Sequence, residues 1–131
     1  MVLGDPDPSF SRTITTALFA RGLRDLAVCG DADQLRKAVN AAADVVLCDV
    51  NIPRSDFCAL SQDIRHGRIG SNPFTVLIAM TGGSTESDVA RVLKSGVDDL
   101  IFKPAEADLV MTRIGAFAKR RNPFVVWWST R

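Results

Sequence analysis

Four residues carry side chains that could do chemistry together. Asp5, Asp49, Thr81 and Lys103 each stand just past a short apolar run of the 131-residue chain. Two carboxylates brought to one place repel each other, and a divalent cation would relieve that repulsion. Oxygen ligands without sulfur or imidazole suit Mg²⁺ better than Zn²⁺. An ammonium adds positive charge from another side, and a hydroxyl can donate a hydrogen bond. Such a set could hold a phosphoryl group on a carboxylate, with the metal and the ammonium neutralising its oxygens as charge develops. Taken singly, each residue could be a solvated strand end; the four together point to chemistry.

The elements that must position them follow from the apolar pattern. Short runs at Val2–Leu3, Leu26–Cys29, Val45–Cys48, Thr75–Met80 and Leu100–Phe102 are continuous and several are β-branched, as strands buried on both faces should be. Segments with helical spacing lie between them, over about 8–20, 32–42, 56–66, 85–94 and 106–119. The residues expected inward are Ile14, Leu18 and Phe19; Leu35, Ala38 and Val39; Leu60 and Ile64; Val89, Val92 and Leu93; and Leu109, Val110, Ile114 and Phe117. Asp7 is placed to cap the first helix and Pro8 to open it, Asp31 to cap the second, Ser55 or Asp56 the third, and Ser84 the fourth. Gly22 and Gly96 suit helix stops.

Five strands alternating with five helices give an α/β fold, a parallel sheet covered on both faces. In open sheets of this kind ligands gather beyond the carboxyl ends of the strands. Asp5, Gly30, Asp49, Thr81 and Lys103 all fall at that edge. The first run is short, which implies a frayed strand or a different start. Gly82-Gly83 either free the backbone to approach an anion or form a flexible turn. Lys103-Pro104 is either a simple turn or a cis bond that swings the lysine over the edge. His66, the one histidine, caps the third helix or faces solvent. No P-loop, dinucleotide fingerprint or serine–histidine arrangement is present.

Length and composition set the frame. The size suits one domain, the apolar share of 47% and charged share of 24% are ordinary for a globular chain, and a net charge of +1 gives no reason to expect nucleic acid. Three cysteines, at 29, 48 and 58, match no metal spacing and fit a disulfide framework poorly. No run reaches the roughly 18 apolar residues of a membrane span, and the N-terminus does not read as a secretion signal. The cytoplasm is the expected compartment. Residues 1–121 read as one domain and 122–131, "NPFVVWWSTR", as an apolar tail that packs back or mediates a dimer.

In order and spacing, "GDPDPSF" at 4–10, "ADVVLCDVNIPRSDF" at 43–57, "VLIAMTG" at 76–82 and "GVDDLIFKP" at 96–104 resemble the receiver domain of two-component response regulators. The resemblance runs over residues 2–119. It implies a doubly wound, flavodoxin-like (βα)₅ sheet of strand order 2-1-3-4-5 and helices on both faces. It implies Asp49 as acceptor of a phosphoryl group from a phosphohistidine on a partner histidine kinase or phosphotransfer protein. Mg²⁺ would be held by Asp5, Asp49 and the backbone carbonyl of Asn51. Thr81 would hydrogen-bond the phosphoryl group, and Lys103, before a cis Pro104, would pair with it. The α4-β5-α5 face would carry the signal.

The sequence departs from that family in three places. Pro6 stands where a second acid is usual, so Mg²⁺ should bind weakly. Phe57 stands where many receivers have glycine, and Leu100 where an aromatic is frequent; Phe102 could be core. The leading expectation is a phosphoacceptor signalling module rather than a conventional enzyme, with a second copy of the chain as a candidate partner. The competing one is a degenerate receiver that binds partners without phosphorylation. An unrelated small enzyme or flavin carrier is a distant third, because "GDPDPS" is acidic and offers a phosphate little. No element for direct nucleic-acid binding is visible, and the chain reads as a stand-alone receiver or a part of something longer.

Overall fold

A computed structural model describes residues 1–41, 43–70, 72–83 and 85–121. These residues form five strands and five helices in strict alternation: β1 (Val2–Gly4), α1 (Pro8–Ala20), β2 (Ala27–Cys29), α2 (Ala32–Ala41), β3 (Val45–Asp49), α3 (Phe57–Arg65), β4 (Val76–Thr81), α4 (Glu86–Lys94), β5 (Asp99–Phe102) and α5 (Ala107–Arg121). Ser84, expected as a cap, and the tail at 122–131 lie outside the described residues.

The strands pair in parallel in the order β2-β1-β3-β4-β5. Side chains alternate between the faces. Val46, Cys48, Leu77, Ala79 and Leu100 meet Leu35 and Val39 of α2, Leu60 and Ile64 of α3, and Val92 of α4. Leu3, Val45, Leu47, Ile78, Met80 and Ile101 meet Ile14 and Leu18 of α1 and Val110, Met111 and Ile114 of α5. The central strands are apolar throughout because both of their faces are covered.

β1 is short but not frayed. It lies inside the sheet, between β2 and β3, and all three of its residues are buried. Gly4 ends it for a packing reason: a Cβ there would lie 2.7 Å from Leu35 Cδ1 and 2.9 Å from Ile52 Cδ1. α2 and the loop after β3 thus close directly over the strand end.

Helix boundaries follow local chemistry. Asp7 accepts from the Ser9 amide with Pro8 in the first turn, Asp31 accepts from the Gln34 amide, and Asp56 accepts from the Cys58 amide. Thr85 is the cap of α4, in a reciprocal capping box with Asp88. Gly22 and Gly96 follow α1 and α4 with φ of 95° and 112°, a conformation that glycine adopts without a Cβ clash. His66 is exposed at the C-terminal cap of α3.

Four expected core residues are exposed instead. Phe19, Leu93 and Leu109 each sit one position from a buried neighbour (Leu18, Val92 and Val110), and one step turns a side chain by about 100° away from the sheet. Phe102, at the last position of β5, is 60% exposed.

Candidate functional site

Asp5 and Asp49 end up side by side because β1 and β3 are neighbours where the strand order reverses. Asp5 follows β1 directly and Asp49 is the last residue of β3. Each carboxylate is fixed by a backbone amide two residues on. The Asp7 N–H donates to Asp5 Oδ1 at 2.8 Å, and the Asn51 N–H donates to Asp49 Oδ1 at 2.7 Å. These short turns aim the remaining oxygens, Asp5 Oδ2 and Asp49 Oδ2, at the same place. Both aspartates are buried, at 3% and 6% exposure.

Lys103 occupies that place. Its Nζ donates to Asp5 Oδ2 at 2.5 Å and to Asp49 Oδ2 at 2.6 Å. The Lys103 amide donates to the Thr81 carbonyl at 2.8 Å, which ties the residue to the end of β4. The Lys103–Pro104 peptide bond is cis. Burial alone would lower the Lys103 pKa, but the hydrogen bonds to Asp49 and then Asp5 outweigh it and hold the ammonium above the ordinary lysine value of 10.5. Nζ also lies 4.4 Å from the centroid of the Phe10 ring, in the first turn of α1.

An open cleft of about 420 Å³ lies over this edge, lined by Asp5, Pro6, Asp7, Asp49, Asn51, Gly82, Gly83, Asp88 and Lys103. Sequence reasoning placed most of these here but missed Asp88, which arrives from the α4 capping box. It also missed Phe10, whose one signal was an aromatic in the first turn of the helix behind Asp5. Thr81 ends β4, 1% exposed, beside Phe102 in register. A Cβ at Gly82 would make only ordinary contact and one at Gly83 would meet open space, so neither glycine is there to make room.

Cys48 lies immediately beneath Asp49. Burial pushes its thiol far up, with the charges of Asp49 and Asp5 adding to the effect, so it stays a neutral thiol. Cys29 and Cys58 are likewise buried and free.

Residues 2–115 match the family described as the response regulator receiver domain. The chain belongs to that family. It is 32% identical over 120 residues to the transcriptional regulatory protein KdpE of Mycobacterium tuberculosis, covering 90% of this chain and 50% of KdpE. Against the sensor histidine kinase RcsC of Salmonella typhimurium it is 28% identical over 116 residues, 88% of this chain and 12% of RcsC. The chain thus spans half or less of these relatives. The Francisella response regulator 1452 receiver domain superposes with a TM-score of 0.79 at 25% identity, over 91% of this chain and 95% of that one.

Receiver domains are signalling modules of two-component systems, not classical enzymes, and they generally bind Mg²⁺ at their acidic pocket. In this receiver domain the chemistry of the pocket suits a cation, since two carboxylates already converge on one positive charge. The set is short, however. Pro6 lines the cleft without a carboxylate, and Asp7, also in the lining, gives its Oδ1 to the Ser9 amide as the cap of α1. Among the described residues no group of three or more His, Cys, Asp or Glu side chains is placed to hold a metal ion. The other two departures are both buried: Phe57 opens α3 within the core and Leu100 lies in β5.

Proposed function

We propose that this receiver domain accepts a phosphoryl group on Asp49. The donor is a phosphohistidine on a histidine kinase or phosphotransfer protein in the cytoplasm. Asp49 Oδ2 attacks phosphorus, the phosphorus–nitrogen bond breaks, its electron pair stays on the imidazole, and the ring takes a proton from solvent. The product is an acyl phosphate. The Asn51 amide holds Oδ1 and so turns Oδ2 toward the cleft. The Lys103 ammonium, now beside that oxygen, passes to the phosphoryl group, and the Thr81 hydroxyl supplies a further hydrogen bond. Asp5, Asp49 and the Asn51 carbonyl would hold Mg²⁺, which would supply positive charge for the transferred group; with no carboxylate from Pro6, its affinity would be low.

One observation carries this reading: a single ammonium bridges Asp5 and Asp49 at the mouth of an open cleft. Output runs through the face of α4, β5 and α5, where Leu93, Phe102 and Leu109 are exposed to a second copy or a downstream protein. The test is amide NMR with Mg²⁺ and a beryllofluoride phosphoryl mimic. Signals of Asn51, Thr81 and Lys103 should move in the wild type and stay in place in Asp49→Asn. Unmoved signals in the wild type contradict the reading.

A further inference from the structure

Lysine on a surface swings freely, yet Lys103 is held from three sides. Two are the Oδ2 atoms of Asp5 and Asp49, and the third is the ring face of Phe10, 4.4 Å from Nζ. Both Oδ1 atoms are already taken by backbone amides, so the Oδ2 atoms are where an incoming cation would bind. Those are the atoms the ammonium holds. We propose that Phe10 is a positioning residue for Lys103, keeping its ammonium between the two carboxylates as a resident counter-ion that a divalent cation must displace.

The charges make the two cations rivals. Two carboxylates and one ammonium leave the pair with one negative charge. A divalent ion added without moving Lys103 would place two cations on the same oxygens in a largely buried space, where their repulsion is weakly screened. Pro6 brings no carboxylate to offset this, and the two other acids lining the cleft, Asp7 and Asp88, each give an oxygen to a helix cap. The ring face favours the ammonium by a cation–π attraction that an aliphatic side chain cannot give. Phe10 is partly buried and packs from α1 against the core, so leucine can replace it without emptying the site. The inference rests on the reading of Asp5 and Asp49 as the metal-binding carboxylates and says what limits that binding.

The experiment is calorimetric titration of the whole chain with Mg²⁺ and no phosphodonor. Phe10→Leu should bind Mg²⁺ about fivefold tighter than the wild type, the size of one partly exposed cation–π contact. Phe10→Tyr keeps the ring and should match the wild type. Lys103→Gln removes the rival charge and should bind tighter than Phe10→Leu. The proposal is overturned if Phe10→Leu binds no tighter than the wild type, if Phe10→Tyr behaves like Phe10→Leu, or if none of the proteins binds Mg²⁺. Phosphoryl uptake by Asp49, read separately by mass, shows which claim has failed. Uptake with an unchanged Phe10→Leu affinity removes only the positioning role; tighter binding by Phe10→Leu without uptake removes only the acceptor role.

Discussion

Asp5 and Asp49 share one ammonium, with Lys103 Nζ 2.5 Å from the first and 2.6 Å from the second. The trio carries one uncompensated negative charge inside the protein. Asp49→Asn leaves a balanced Asp5–Lys103 pair and should raise stability in metal-free buffer by about 1 kcal/mol. Lys103→Gln leaves two facing carboxylates and should lower it by about 3 kcal/mol. Urea unfolding of both variants measures this; changes of the same sign would be inconsistent with the charge count.

Arg65 and Asp98 make a second tightly enclosed network. The guanidinium donates to the carbonyls of Gly96, Pro73 and Thr75 and to Asp98 Oδ2, which also accepts from the Leu77 amide. It joins the end of α3 to the start of β4 and the α4–β5 loop. Arg65→Ala should cost about 3–5 kcal/mol, the range for breaking a buried pair. Arg65→Lys should recover little, since one ammonium cannot reproduce the planar fork. Full recovery by lysine, in the same unfolding measurement, would argue against a geometric role.

The fold was legible because its signals repeat. Five apolar runs and five helical stretches, four of them led by a cap residue, fix an alternating chain, and burial on both faces marks a parallel sheet. The strand order came from the resemblance to a family, since pairing depends on contacts between distant segments. Asp5, Asp49 and Lys103 were legible as residues close behind strand ends. Their joint geometry was not, because it needs the neighbouring positions of β1 and β3. Phe10 and the Arg65 network escaped for the same reason: each acts through a partner far away in sequence. Asp88 has a local partner, Thr85, and only the placement of α4 brings it to the cleft. Phe19, Leu93, Leu109 and Phe102 were misread because spacing gives a stripe of candidates, while the width of the sheet contact decides which are covered.

Phe102 offers a test of the exposed face. At 60% exposure its replacement by serine should change stability by no more than about 0.5 kcal/mol. Self-association or partner binding at α4-β5-α5, followed by sedimentation, should weaken. Unaltered association would move the output surface elsewhere.

Asp63 gives a pH dependence. The hydrogen bond from Arg68, opposed by burial and aided by the hydrogen bond from Arg36, holds its carboxyl below the usual value of 3.8. A depressed carboxyl contributes stability above its unfolded pKa and loses it as pH falls through the folded value. Asp63→Asn should therefore be less stable than the wild type at pH 7, and the gap should close as the pH drops below about 3.8. A gap that persists or widens in acid, followed by circular dichroism, would show that the carboxylate charge is not what matters.

The central claim is that Asp49 takes a phosphoryl group, and intact mass spectrometry tests it most directly. The full chain is incubated with a small acyl phosphate donor and Mg²⁺, then digested to locate the modification. The wild type should gain the mass of one phosphoryl group on the peptide containing Asp49, and Asp49→Asn should gain none. No gain in the wild type, under conditions that modify an ordinary receiver domain, or an equal gain in Asp49→Asn, would contradict it.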